Sequence, residues 1–340
     1  MLEYLSMSKK ILVTGAGGYI GSVTTYLLLQ KGYQIIAIDN FSTGFEGPLK
    51  LLQEKFGKEK LHYQKLDLKD DLKEFSEKQK DIEAVVHFAA SLSVNESMED
   101  PAKYFSNNVS GTQNLLRNLL ENDIKNIIFS STCATYGEAE YVPINEKHPT
   151  NPTNPYGESK RIIEQMIEWY GKLKGLNYVV LRYFNVCGAT DDGLIGDSKK
   201  PSVHLMQNTV RGALGLEPFY LTCPEVDTPD KSPIRDYVNV VDLAGAHVKA
   251  LEYLLNGGNS EIINVGTGEG NSVLEIVRKV EEITGKNLNA KQGPARQGEY
   301  AKMIASTKKA KEILGWEPTH SLEDSVNSLV KWYKNHPAGW

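Results

Sequence analysis

The sequence predicts a doubly wound α/β fold, with a smaller α/β lobe added toward the C-terminus, and three observations carry that expectation. Short β-branched runs alternate with longer amphipathic stretches through the first half of the 340 residues, the pattern of repeated strand–helix units. Several runs are apolar almost throughout, as in Ile11-Leu12-Val13 and Ile35-Ile36-Ala37-Ile38, which suits strands covered by helices on both faces. The first run leads straight into Gly15-Ala16-Gly17-Gly18-Tyr19-Ile20-Gly21, a glycine-rich turn that opens a helix. Together they describe a parallel sheet of the Rossmann type.

In chain order, strands are expected at 10–14, 34–39, 61–66, 84–88, 126–131 and 178–184, and helices at 19–31, 101–122 and 155–174. The last helix follows Asn154-Pro155, a start signal: proline tolerates the first turn because its missing N–H would be unpaired there anyway. Beyond Phe184 the texture changes. Residues 185–235 are rich in Gly, Pro and Asp, with one helix expected at 202–213, so a substrate lobe should begin here. A strand at 261–265 and a helix at 272–284 imply that the chain revisits the main sheet. A nucleotide-binding domain over 1–184 and a lobe over 185–340 are therefore expected to interleave.

Composition narrows the class. Hydrophobic residues at 40% and charged residues at 24% are ordinary for a globular protein. A net charge of -5 without a Lys/Arg stripe leaves no basic field for nucleic acid. Cys133, Cys187 and Cys223 are odd in number and lack a C-x-x-C spacing, which argues against a disulfide framework or zinc cluster and fits a reducing cytoplasm. No stretch approaches the ~20 apolar residues needed to cross a bilayer, and the start has no signal-peptide core, so a soluble, unexported protein is expected. The seven histidines show no metal-ligand spacing, and no metal is expected.

The glycines at 15, 17, 18 and 21 let the backbone approach a diphosphate, whose charge is met by free N–H groups at the helix start; Tyr19 and Ile20 complete the turn. Asp39 ends the next strand, where a carboxylate can hold the adenosine ribose hydroxyls and repel a 2′-phosphate. Asn40 and its neighbours supply no Arg to bind one. NAD is thus favoured over NADP, while Asp39 can also be read as a turn cap. Asp67-Leu68 ends the third strand, where it can meet the adenine or simply form a turn.

Tyr-x-x-x-Lys sets a phenol and an ammonium on one helical face, where the cation makes a phenolate cheaper. The spacing occurs twice, at Tyr156/Lys160 and Tyr170/Lys174. The first follows the helix-start signal and a strand ending in Ser130-Ser131-Thr132, and it is the candidate catalytic pair. Moving a tyrosine from ~10 to ~7 requires roughly 4 kcal/mol. The helix dipole supplies only about 0.3–1 kcal/mol, so Lys160 and a positively charged nicotinamide must supply the rest.

These residues, with His87-Phe88-Ala89-Ala90, Asn107-Asn108-Val109-x-Gly111-Thr112, Phe129-Ser130-Ser131-Thr132, Leu181-Arg182-Tyr183-Phe184-Asn185 and Arg235-Asp236-Tyr237, give the chain its likeness. From about Lys10 to the C-terminus it resembles the UDP-glucose 4-epimerases of the extended short-chain dehydrogenase/reductase family. The resemblance implies that Tyr156 takes the proton of the sugar O4 while hydride leaves C4 for NAD. The resulting 4-ketose turns over and is reduced on its other face. It implies a UDP-sugar substrate and a homodimer paired through the helices at 101–122 and 155–174. Thr132 would bond to O4, a task Ser131 could also perform. Phe88, Ala89, Ala90, Asn107, Tyr183 and Phe184 would line the nicotinamide side. Asn185, His204, Leu205, Arg235, Tyr237, Arg296 and Glu299 would hold the nucleotide sugar, two arginine forks suiting a diphosphate.

The chain departs from the family pattern at Met303, near the sugar C2 position, at Leu92, where some members carry Lys, and at 219–223 on the uracil side. Cys133 lacks an activating His and reads as a small buried residue. Rival readings are an epimerase of another UDP-sugar (a uronate, pentose or N-acetylhexosamine), a nucleotide-sugar dehydratase or decarboxylase, and a non-catalytic NAD-sensing protein. Thr132-Cys133-Ala134-Thr135-Tyr136-Gly137 lacks the acid a dehydratase needs, and the intact Tyr156/Lys160 pair argues against the sensor.

Overall fold

The computed structural model describes residues 9–79, 81–288, 290–294 and 300–340. A seven-stranded parallel sheet forms its centre. Its strands are β1 (Lys10–Thr14), β2 (Gln34–Asp39), β3 (Leu61–Lys65), β4 (Ile82–His87), β5 (Asn126–Ser130), β6 (Asn177–Tyr183) and the late segment Glu261–Val265. The expected strands all form, with ends moved by no more than one or two residues. Glu261–Val265 pairs with the outer edge of β6, so the chain does return to the sheet from the lobe.

Alternation along the strands divides the core into two layers. Ile11, Val13, Ile35 and Ala37 face Val23 and Leu28 of α1 (Tyr19–Gln30) and Leu243 and Leu251 of the helix Val240–Leu255. Leu12, Ile36, Ile38 and Val85 face Leu115, Leu116 and Leu119 of Gly111–Glu121, and Ile163 and Ile167 of Pro155–Lys174. Each of these Val, Leu and Ile side chains contributes about 1.5–3 kcal/mol by leaving water. The sequence reading assigns no element to Val240–Leu255. Its buried residues run almost all the way round the helix, so no one-sided stripe announces it.

The helix expected at 101–122 is not one regular helix. Between Pro101–Tyr104 and Gly111–Glu121 the backbone widens into a π-helical turn, Phe105–Ser110. Asn108 explains the turn. Its side chain accepts from Ser91 N–H at 2.8 Å and donates to Ser91 C=O and Ser159 Oγ, each at 3.0 Å. The bulge pins the loop after β4 to the helix Pro155–Lys174 and presents Asn107 to the site, a use to which such bulges are often put.

In the lobe, Asn185–Cys187 pairs with Tyr237–Asn239, and Ile234–Arg235 is flanked by Asn271–Ser272 and Lys302–Met303. Helices Leu205–Ala213, Val273–Thr284 and Leu322–Asn335 share a core around Trp332 and Tyr333. The helix expected from 202 starts at Leu205 because His204 is still extended. No described helix is long and apolar enough to cross a membrane.

The order of strands places the site. β1 lies between β2 and β4, so the chain leaves this point toward opposite edges of the sheet. That opens a crevice beyond the C-terminal ends of β1 and β4, where ligands bind in such folds.

Candidate active site

A cavity of about 590 Å³ lies over this crevice. At its cofactor end Gly15 has φ +68, and a Cβ there would fall 2.5 Å from Ala89 N. A Cβ on Gly21 would fall 2.2 Å from Gly15 O, so both positions require glycine for close approach, and Gly15 for its conformation as well. Gly18 caps α1 without a side-chain bond, and no acidic residue stands in its first turn. The N–H groups of that turn are thus presented to an anion, which is the arrangement a dinucleotide's diphosphate requires.

Asp39 lines the cavity beside this turn while holding it in shape. Its Oδ2 accepts from Gly17 N–H at 2.9 Å and its Oδ1 from Phe41 N–H at 2.7 Å. Burial pushes its pKa up, and the two N–H groups and the charge of Lys199 oppose the shift. Capping the turn and facing the cavity are therefore compatible roles. Asn40 donates to Asp67 Oδ2 at 3.0 Å, and both line the same end with Leu68. Ser42, Thr43 and Gly44 line it too; their Ser-Thr-Gly run is a turn signal that the sequence reading left unused.

Tyr156, Lys160 and Thr132 converge at the opposite end, with Phe88, Ala89, Ala90, Asn107, Tyr183 and Phe184 along the wall. The helix Pro155–Lys174 starts here because Asn154 caps it, accepting from Gly157 N–H at 2.9 Å. Lys174 of the second Tyr-x-x-x-Lys pair is exposed, and neither Tyr170 nor Lys174 reaches the cavity. β4 is locked in place by His87, whose two ring nitrogens meet the hydroxyls of Thr14 and Thr112 at 2.6 and 2.8 Å. Burial pulls His87 down to about 3, so it stays neutral.

The electrostatics differ from the sequence argument in two respects, the direction in which Lys160 points and the upward shift of the Tyr156 phenol. Lys160 turns its ammonium to Ser130 C=O at 2.8 Å and over the Phe129 ring, not onto the Tyr156 hydroxyl. Burial lowers Lys160 to about 7, while Glu164 one turn on opposes the shift. The Tyr156 phenol is raised well above its ordinary value, first by burial and then by Tyr183, and its bond to Thr132 works the other way. The strand-end carbonyl satisfies Lys160 directly, which is why the ammonium lies there.

On the substrate side Asn185, His204 and Arg235 line the cavity, with Met303 and Tyr300. Arg235 Nη1 donates to Ile234 C=O and Tyr300 C=O at 2.9 and 2.8 Å. Leu205 and Tyr237 do not reach the cavity and pack in the lobe core instead. Gly17 lies just behind the turn, its N–H spent on Asp39. Arg296 and Glu299 lie outside the described residues. Cys133 lines the cavity, where burial raises its thiol to about 12.

Comparison with known proteins agrees with this geometry. The model of the NAD dependent epimerase/dehydratase family matches residues 11–266. A UDP-glucose 4-epimerase of Halalkalibacterium halodurans is 44% identical over 333 residues, covering 97% of each chain. The structure of a Bifidobacterium longum UDP-glucose 4-epimerase in complex with NAD+ and UDP superposes with a TM-score of 0.92 at 34% identity, covering 98% of this chain and 100% of that one. A Stenotrophomonas maltophila UDP-glucose-4-epimerase with bound NAD and formylated UDP-arabinopyranose gives 0.91 at 32% identity, covering 97% and 99%. With its glycine turn, its Tyr156/Lys160 pair and this likeness along nearly its whole length, the chain belongs to the NAD dependent epimerase/dehydratase family and, within it, to the UDP-glucose 4-epimerases.

Proposed function

We propose that the protein interconverts UDP-glucose and UDP-galactose with NAD held over the Gly15–Gly21 turn. The observation that carries this reading is the meeting of Tyr156 and Thr132 at the catalytic end of the cavity that also contains the dinucleotide turn. When bound over that turn, NAD would supply reversible hydride acceptance at the sugar C4, so the reaction would have no net redox change. Ionised to its phenolate, Tyr156 would accept the O4 proton and return it, and Thr132 orients the hydroxyl that exchanges it. Lys160, one turn along the same helix and fixed by Ser130 C=O, offers its remaining N–H donors to a ribose hydroxyl. Asn185, His204 and Arg235 hold the nucleotide end of the substrate. Loss of the O4 proton and C4 hydride leaves a 4-keto sugar; its rotation and reduction on the other face invert the centre.

Cys133 and Ala134 are the lining residues that follow Thr132, and neither is an acid. A dehydratase or decarboxylase would need a carboxyl there to protonate a leaving group, which favours the epimerase. The direct test is incubation with UDP-galactose without added reductant, following UDP-glucose by chromatography. Absence of conversion by NAD-loaded protein would refute the assignment.

A homodimer is part of this reading. Met98, Trp169 and Leu173, on and beside the helices expected to pair, are 61, 59 and 69% exposed, apolar area that a second copy would cover. A sedimentation mass of one chain at micromolar concentration would exclude it. Three free cysteines without a disulfide suit the cytoplasm, a location that cell fractionation would check.

A further inference from the structure

We propose that Lys199, on the lobe loop following Gly196, closes over the diphosphate of the dinucleotide and sets how tightly the cofactor is retained. Lys199 lines the main cavity with Gly15, Gly18 and Asp39, and also a small cleft behind the turn beside Gly17, Thr43 and Gly196. It therefore sits next to the start of α1 although it belongs to the lobe.

Charge complementarity carries the argument. Among the described residues, the Lys and Arg side chains lining the cavity are Lys160, Lys199 and Arg235. Lys160 is committed to Ser130 C=O at the catalytic end, and Arg235 donates to Ile234 C=O and Tyr300 C=O at the substrate end. A diphosphate carries full negative charge, whereas the first turn of α1 offers only the partial charges of backbone N–H groups. Lys199 is the cation within reach of that turn, and no described residue forms an ion pair or side-chain hydrogen bond with its ammonium. Burial lowers its pKa, and the nearby charges of Asp197, Glu96 and Asp39 oppose the shift without touching it. An ammonium partly withdrawn from water beside an anion-ready helix start gains most from a phosphate oxygen, through a charge-assisted bond.

The loop is firmly anchored. Lys199 N–H donates to Asp197 Oδ1 at 3.2 Å, Ser202 Oγ donates to Asp197 Oδ2, and Trp332 Nε1 donates to Asp197 C=O at 3.2 Å. Lys199 thus ties cofactor retention to the lobe core. Retention matters because, on the epimerase reading this inference rests on, the dinucleotide that receives hydride must remain to return it.

The test compares wild type, Lys199→Met and Lys199→Arg by calorimetric titration with ADP-ribose, which has the diphosphate, and with adenosine, which does not. Lys199→Met should weaken ADP-ribose about ten- to a hundredfold, the effect of one hydrogen bond to a charged group, and leave adenosine unchanged. Lys199→Arg should restore most of the loss, and the methionine variant should release bound NAD faster. Unchanged ADP-ribose binding, or an equal loss for both ligands, would overturn the inference. If wild type binds neither ADP-ribose nor NAD, the cofactor reading beneath it fails first.

Discussion

Arg182 closes Nε and Nη2 onto the two oxygens of Glu164, at 2.9 and 2.6 Å, with both side chains sealed from water. Glu164 Oε1 also accepts the Ser131 hydroxyl at 2.6 Å, so the pair is fastened to the strand end that presents Thr132. Breaking one side of a buried pair leaves an uncompensated charge. Glu164→Gln should therefore lower the free energy of unfolding by about 3–5 kcal/mol. Urea titration of the two proteins measures it, and a difference under about 1 kcal/mol, the level of a surface pair, would contradict the role given to Arg182.

Replacing Tyr156 by Phe removes the proton acceptor but keeps the buried ring. Turnover of UDP-galactose should fall by about 10²–10⁴ or more, with NAD content after purification unchanged. Thr132→Val should fall less, since it removes an orienting hydroxyl and not the base. Near wild-type turnover in the phenylalanine variant would show that another group takes the proton.

Lys160 makes stability depend on pH. Its folded value of about 7 lies below the ~10.4 of an unfolded lysine. Between those values the unfolded chain binds a proton that the folded chain lacks. Stability of dinucleotide-free protein should thus rise with pH across this window, the full penalty being felt below about 7. Denaturation midpoints from about pH 6.5 to about 9.5 should show that slope, and Lys160→Met should flatten it.

A methyl group at Gly21 would strike Gly15 O at 2.2 Å, backbone against backbone. Gly21→Ala should cost about 1–3 kcal/mol of stability through overpacking and abolish stoichiometric NAD binding. Thermal shift with and without NAD separates the two effects; a variant that NAD stabilises as it does wild type would show that the turn can yield.

Much of the architecture was legible because apolar runs such as Ile11-Leu12-Val13 are covered on both faces, and because Asn154-Pro155 marks a helix start whatever packs around it. Other features depend on contacts made far away in sequence. The resemblance carries Arg235 and Tyr237 to the substrate together. Instead Asp236 accepts from Thr267 N–H, Gly268 N–H and Ala305 N–H, separating two short strands. Arg235 then faces the cavity and Tyr237 the lobe core. The π-helical turn at Asn108 was hidden for the same reason, since its partners Ser91 and Ser159 lie on other elements. Lys199 carries no motif, and only the folded lobe brings it to the glycine turn.

The strand Glu261–Val265 that completes the sheet beside β6 has a consequence during synthesis. It leaves the ribosome only after the whole intervening lobe, so a nascent chain presents the bare backbone edge of β6 throughout that interval. Such an edge invites pairing with other growing chains. Premature stop codons between β6 and Glu261 should accordingly yield insoluble fragments, whatever the integrity of their glycine turn.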